Sequence, residues 1–489
     1  MGTGVRITTS KFSMAFGATL AGVIAASTAS AQTSPIPLAP TFRCKEVIIP
    51  PGPDPDLPVL KPIFRSITGL AENDFDCLAW QDLIYLMWPA KPNERGVPDP
   101  NRKIGASGPT VWESYRTADT VFLPQGRDPG PWQQLQLMTT LESGLAQQVA
   151  SGAVRNLTMT SKVSREVLST ILQNASAFPP PILNGISQAG GGTLYDLNGF
   201  PVYYEVAMDK VQYDYIHDHQ LYNAYRQAVF ARTNVISLPA GTVDVPLGAV
   251  EVKAAWKVLS DAERHSGRFH TIQALLGGAK TPVTVGLVGF HVFVVNGAQG
   301  AWATFAQMDN APSGTPATSG TFNFFNPKCK LPGSDKPCPV NVQDANPGQV
   351  LQVTPDSNAA TKLNTYMHYI LQKDNAKTPW QFYNLIDVQW ALDPKVISDL
   401  KAPVTVPPPL PNGTPNIPAD NKDMLNPVLE TFLQLPYPPP ALVPLAPGNS
   451  CLGCHQYATT AAVGIQQPPY AAGYSFMLGR ASALPTDAP

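Results

Sequence analysis

Val283-Thr-Val-Gly-Leu-Val-Gly-Phe-His-Val-Phe-Val-Val295 is apolar at almost every position and rich in β-branched residues. A strand with one wet face alternates apolar and polar residues, whereas a continuous apolar run is expected where both faces are covered. The run therefore demands a sheet held between two layers, and 489 residues are enough to build them. His291 stands inside the run and is expected to be buried. Gly286 and Gly289 interrupt it, as interior strand glycines do where a backbone or a flat ligand comes close.

The rest of the pattern is mixed. Residues 76–87, with Leu78, Trp80, Leu83, Ile84 and Met87 apolar, predict a helix packed on a core, and residues 132–150, 221–231 and 359–372 read the same way. Strands are predicted at 201–206, after Asn198-Gly199, and at 249–256. No repeat period is visible and no regular βαβ cadence, so the fold class expected is α+β. Of the 52 prolines, a dense set between 402 and 420, with Pro407, Pro408 and Pro409 in a row, predicts an extended connector. A second such stretch covers 436–447. The expected organisation is a signal peptide at 1–31, an α+β body at 32–401, a connector at 402–424 and a C-terminal segment at 425–489. That last piece is short for an independent domain and is expected to pack on the body.

Within it, Cys451-Leu-Gly-Cys-His455 spells C-x-x-C-H, the sequence required for attachment of a c-type haem. Two thiols can each add to a porphyrin vinyl group, and the histidine is then placed beneath the iron as proximal ligand. A redox dithiol would follow a strand of a thioredoxin-like unit, and a zinc site needs a second ligand pair; neither context is evident. The expected cofactor is one covalent haem c on Cys451, Cys454 and His455.

The N-terminus agrees. Arg6 and Lys11 precede an apolar run from Phe12 to Ala26, followed by Ala29-Ser-Ala31 as a small-x-small cleavage signal. The run is shorter than the ~20 residues a membrane-crossing helix needs, and no later segment qualifies. The expectation is a soluble exported protein, periplasmic in a bacterium, with no transmembrane segment once the signal is removed. The other four cysteines, Cys44, Cys77, Cys329 and Cys338, suit two structural disulfides in an oxidising compartment. Local pairing, Cys44 with Cys77 and Cys329 with Cys338, is the first of three possible connectivities. A formal charge of -2 with 14% charged residues leaves no electrostatic footprint for nucleic acid.

Candidates for the other axial position are His291, which is preferred, and Met477, the alternative, in Tyr474-Ser-Phe-Met-Leu-Gly479. His270 and His368 stand in helix-like or loop surroundings. His217 and His219, at i and i+2, fit a metal clamp on a strand edge or a polar loop. Val250–Trp256 alternates and puts Glu251 and Lys253 on one face, while Trp302–Asn310 ends in Asp309-Asn310 after aromatic packing. Both runs also suit salt-bridged surface elements, and Glu251 and Asp309 are the candidate catalytic acids for a proton relay near a haem.

Taken together, Ala79-Trp-Gln to Trp88-Pro89, Thr110-Val-Trp-Glu-Ser-Tyr115, Gly199 to Met208, Val250 to Trp256, Val285 to His291, Trp302 to Asn310 and Cys451 to His455 resemble a large bacterial family of exported monohaem cytochrome c proteins. The resemblance spans most of the mature chain. It implies export and one covalent haem, and brings no substrate. The function expected is electron transfer by a periplasmic monohaem cytochrome, to a redox partner protein. The alternative is a haem enzyme, a peroxidase-like or oxygenase-like oxidoreductase with an open iron and a small-molecule substrate.

Overall fold

The computed structural model describes residues 72–134, 143–150, 153–157, 192–242, 247–276, 280–295, 300–391, 424–434, 451–455, 458–463 and 470–483. All belong to the unit Ala39–Pro489. Residues 1–31, expected to be a signal peptide, connector residues 402–423, the stretch 436–447 and Cys44 lie outside them. In chain order the principal elements are α1 (Glu72–Leu86), β1 (Arg116–Thr117), α2 (Ser143–Ala150), β2 (Val154–Leu157), β3 (Tyr203–Met208), α3 (Lys210–Asp218), α4 (Ala224–Ala231), β4 (Val250–Val258), β5 (Thr271–Leu276), β6 (Val283–Val294), β7 (Ala301–Gln307), α5 (Asn358–Asp374), β8 (Tyr383–Trp390) and α6 (Cys451–His455). The class is α+β, as the mixed periodicity implies.

The eight strands form one sheet, and β6 is its trunk. Strand β4 runs antiparallel along one edge of β6; along the other, β5 pairs with its first residues and β7 with its last. β3 and β1 extend the sheet beyond β4, β8 extends it beyond β7, and β2 joins β5 in the only parallel pairing among the described strands. Register shifts at Ala255/Trp256 and at Thr304/Phe305 increase the local twist and curl the sheet.

Directly paired residues share a face. Val252, Val292, Ala303 and Val388 are aligned across four strands, next to the row Ala254, Phe290, Phe305 and Leu385. All eight belong to the main core, together with Trp80 and Leu83 of α1 and Leu363 and Met367 of α5. Trp80 meets Phe305 edge-on with ring centroids 5.3 Å apart, and Phe75 stacks on Trp390 at 3.8 Å. The outer backbone of β8 finds a substitute strand in one side chain. Asn364 donates to the Leu385 carbonyl at 2.8 Å and accepts from the Leu385 N–H at 2.9 Å, while Trp80 Nε1 donates to the same Asn364 oxygen at 3.1 Å. A sheet edge is thereby closed against further pairing.

The opposite face is covered by chain from the C-terminal segment. Asn426 donates to Thr304 Oγ1 and to the Phe305 carbonyl, both at 2.9 Å, where the register shift opens the ladder. Tyr204 Oη donates to the Val428 carbonyl at 3.0 Å. The interior glycines of β6 are accounted for here. A Cβ on Gly289 would meet Val428 Cγ2 at 2.6 Å, and one on Gly286 would meet Leu259 Cδ2 at 2.8 Å. The close approach read from the sequence exists at both, and this chain makes it rather than a porphyrin. Cys329 and Cys338 form a disulfide; Cys77 is disulfide-bonded too, and Cys44, its expected partner, lies outside the described residues.

Two outcomes test this architecture. Gly289→Ala should cost about 1–3 kcal/mol through overpacking against Val428, even though alanine suits a strand better than glycine; the denaturant midpoint should fall with an unchanged slope. The Asp82 carboxyl on α1 is pushed up to about 8 by burial. A raised carboxyl pKa favours the fold at low pH, and that contribution is lost as pH rises through about 8. Melting curves from pH 4 to 9 should show this decline, flattened in Asp82→Asn.

Candidate functional site

On the outer face of the sheet, Lys253 of β4 is aligned with His291 of β6 and Thr304 of β7, and Glu251 with Phe293 and Trp302. These rows form the floor of a cavity of about 500 Å³, counted to its mouth, whose walls include Val206, His455, Phe476, Met477 and Arg480. Residues as far apart in sequence as Val206 and Arg480 thus meet at one place.

Cys451–His455 forms the single helical turn α6, and positions i, i+3 and i+4 of such a turn lie on one side. That geometry is what C-x-x-C-H requires if two thiols and an imidazole are to address one ring. The turn is docked on β8 through the Leu452 N–H, which donates to Gln389 Oε1 at 2.5 Å. Cys451 is buried and packs in a cluster with Phe293, Trp302 and Met424.

His455 is oriented by the backbone. Its Nδ1 donates to the Tyr474 carbonyl at 2.7 Å, which fixes the orientation of the ring. Tyr474 presents that carbonyl from a left-handed conformation, φ 69°, after Gly473 at 57°, and a bulky residue there stores about 1–3 kcal/mol of strain. The His455 ring contacts Phe476 at 5.1 Å and Trp302 at 5.9 Å between centroids.

The wall holds four ionisable groups besides His455. Glu251 Oε2 accepts from Ser475 Oγ at 2.5 Å and from Gln212 Nε2 at 3.1 Å. Burial pushes its carboxyl up, against these hydrogen bonds and the charge of Arg480. His291 is not sealed in the core: it faces the cavity, with its Nε2 3.0 Å from Glu430 Oε2. The other Glu430 oxygen is 3.8 Å from Lys253 Nζ, so one buried carboxylate sits between an imidazole and an ammonium. Met477 is 2% exposed, and its sulfur is 4.0 Å from Gln212 Nε2.

The remaining candidates are elsewhere. Asp309 does not line this cavity; Arg268 donates to its two oxygens at 2.6 and 2.8 Å. His270 Nε2 is 2.6 Å from Glu113 Oε1 and its ring stacks on Trp380. His368 Nε2 is bonded to the Tyr383 carbonyl at 2.8 Å, and burial lowers its pKa. His217 closes α3 and His219 is its C-cap, so they stand on a helix end rather than a strand edge. Two residues apart on a helix are about 200° apart around the axis and do not clamp one ion. Val250–Val258 and Ala301–Gln307 are interior strands, not surface elements.

Among the described residues no group of three or more His, Cys, Asp or Glu is placed to hold a metal ion. A porphyrin does not need one, because it brings four nitrogens and asks the protein for axial ligands alone. His455, oriented by the Tyr474 carbonyl, and the rings of Trp302 and Phe476 beside it suit such a group. No helix among the described residues is long and apolar enough to cross a membrane. Comparison with protein-family models, with curated proteins and with solved structures finds no match to this chain.

Glu430, Gln212, Ser475 and Arg480 were not visible as site residues in sequence. Glu430 alone left a trace, an acid inside the apolar run Val428-Leu-Glu-Thr-Phe432. Replacing Glu430 by Gln should destabilise the protein by about 3–5 kcal/mol, the usual consequence of breaking a buried ion pair. Adding Lys253→Met should recover much of the loss in a double-mutant cycle read by chemical denaturation.

Proposed function

We propose that this chain is an exported carrier of one c-type haem, held covalently by Cys451 and Cys454 and ligated by His455, and that it transfers electrons to a partner protein. The observation that carries the reading is the cavity in which a carbonyl-oriented His455 and Met477 meet, bordered by the turn that bears the thiols. A haem there supplies a one-electron ferric/ferrous couple. Of the two distal candidates, Met477 is favoured over His291. His291 Nε2 is engaged by the Glu430 carboxylate, and withdrawing it would leave that charge poorly paired in the interior. Met477 is a neutral, soft donor whose nearest polar neighbour, Gln212, interacts weakly with sulfur. Trp302, Phe293 and Phe476 exclude water, and burial of Glu251 raises its carboxyl pKa beside the site.

A second reading, a haem enzyme acting on a small molecule, is favoured by the ionisable lining itself: Glu251, Lys253, His291 and Arg480 are more polar equipment than a passive carrier needs.

Optical spectra of the purified exported protein decide between them. Haem should stay bound through denaturation, and be lost in Cys451→Ser/Cys454→Ser. Ferric and reduced spectra should be low-spin and indifferent to carbon monoxide. Met477→Ala should turn the iron high-spin and open it to carbon monoxide, whereas His291→Ala should leave it low-spin. The reverse pattern assigns His291, and a wild-type protein that binds carbon monoxide selects the enzyme.

A further inference from the structure

Two aromatic side chains beside the cavity carry polar tips that packing does not use. Trp302 is 2% exposed and borders the cavity, and its buried Nε1–H meets no acceptor among the described residues. The Tyr474 hydroxyl is buried and equally unmatched among them. The two rings meet edge-on, with centroids 5.6 Å apart, and both pack in or against the buried cluster that holds Cys451. Native interiors leave few polar groups without a hydrogen bond, because each costs its desolvation. Phenylalanine in place of Tyr474 would serve the packing as well.

Both rings are fixed in place. Trp302 stacks on Phe293 at 4.6 Å between centroids, and Tyr474 is held by its left-handed backbone and by the bond from His455 Nδ1 to its carbonyl. The orphan tips thus belong to residues that flank and orient the proposed iron ligand, the Trp302 ring lying 5.9 Å from that of His455. Both tips are neutral donors. An indole N–H donates and does not accept, and burial pushes the Tyr474 phenol well above its ordinary range, so it keeps its proton.

Two donors suit an acceptor with two oxygens, and a carboxylate is one. The acids of the chain at this face are engaged elsewhere. Glu251 accepts from Ser475 and Gln212, and in its row it stands two strands from Trp302, about 10 Å at ordinary strand spacing. Glu430 is set against His291 and Lys253. The acceptor has to arrive with the occupant of the cavity, and a haem brings two propionates.

We propose that Trp302 and Tyr474 hold one propionate carboxylate of the haem, each donating a hydrogen bond to it. The inference rests on the haem reading and gives these two side chains a task within it. Hydrogen bonds to a carboxylate draw off part of its charge. Less negative charge beside the iron favours the ferrous state, so the two donors act on the redox equilibrium as well as on binding.

The test compares full-length variants. Haem retained through denaturation is established first in the wild type; its absence overturns the haem reading itself, before any variant is made. In the holoprotein, Tyr474→Phe and Trp302→Phe should each move the ferric/ferrous equilibrium at least threefold towards ferric in a spectroelectrochemical titration, with haem still attached. Chemical denaturation gives a second readout. Tyr474→Phe should raise the unfolding constant of the holoprotein at least fivefold, and leave that of the haem-free Cys451→Ser/Cys454→Ser chain unchanged or lower it, because there the hydroxyl has no bond to lose. If the haem-free chain does not fold, the redox titration decides. A shift in one variant alone keeps the carboxylate and removes the other donor. No shift in either, a shift towards ferrous, or an equal cost of Tyr474→Phe with and without haem overturns the proposal.

Discussion

The docking of residues 424–434 on the open face of β6 is the contact on which the site depends. A strand as apolar as β6 cannot leave one face in water, and α1 and α5 cover the other. Asn426 supplies the hydrogen bonds that the curled ladder leaves open, Val428 fills the space that Gly289 vacates, and Glu430 is carried to His291 and Lys253. Without that cover the floor of the cavity would be exposed sheet, and α6 would lose the buried cluster, with Phe293, Trp302 and Met424, into which Cys451 packs.

Electrostatics divide the covered face into zones. Towards the end of β4, Tyr204, Ala255, Val288 and Val428 make a dry cluster. In the middle, Glu430 joins Lys253 and His291. Beyond them lie the aromatic residues around His455 and the acid Glu251 with Ser475 and Gln212. An ion pair buried beside a cavity is held in a low dielectric, where its geometry governs the charge that a bound group experiences. The strap therefore acts on the chemistry as well as on the packing.

How much of this was legible in the sequence depended on the range of the cause. Helices α1, α4 and α5 and strands β3, β4 and β6 follow from local periodicity, and their ends agree with it to within a few residues. Strands β5, β7 and β8 lack a clean pattern: β7 reads Ala-Trp-Ala-Thr-Phe-Ala-Gln, small residues on a sheet covered on both sides. Residues 132–150 read as one helix, and the described part of that helix is confined to Ser143–Ala150. At the site, Glu251 and Lys253 sharing a face was a local statement, and the pairing register bears it out. That Glu430 would reach His291, or that Tyr474 would lend its carbonyl to His455, is a matter of chain reversal over long separations, which no spacing rule encodes.

The thiol of Cys451 has a temporal meaning as well as a spatial one. It is 6% exposed in the folded chain, beneath a turn hydrogen-bonded to β8 and walled by Trp302 and Phe293. A group as wide as a porphyrin, if the proposed haem is attached there, has to reach that sulfur before residues 424–434 and 451–455 pack onto the sheet, so these segments would act as a door that shuts on its cargo.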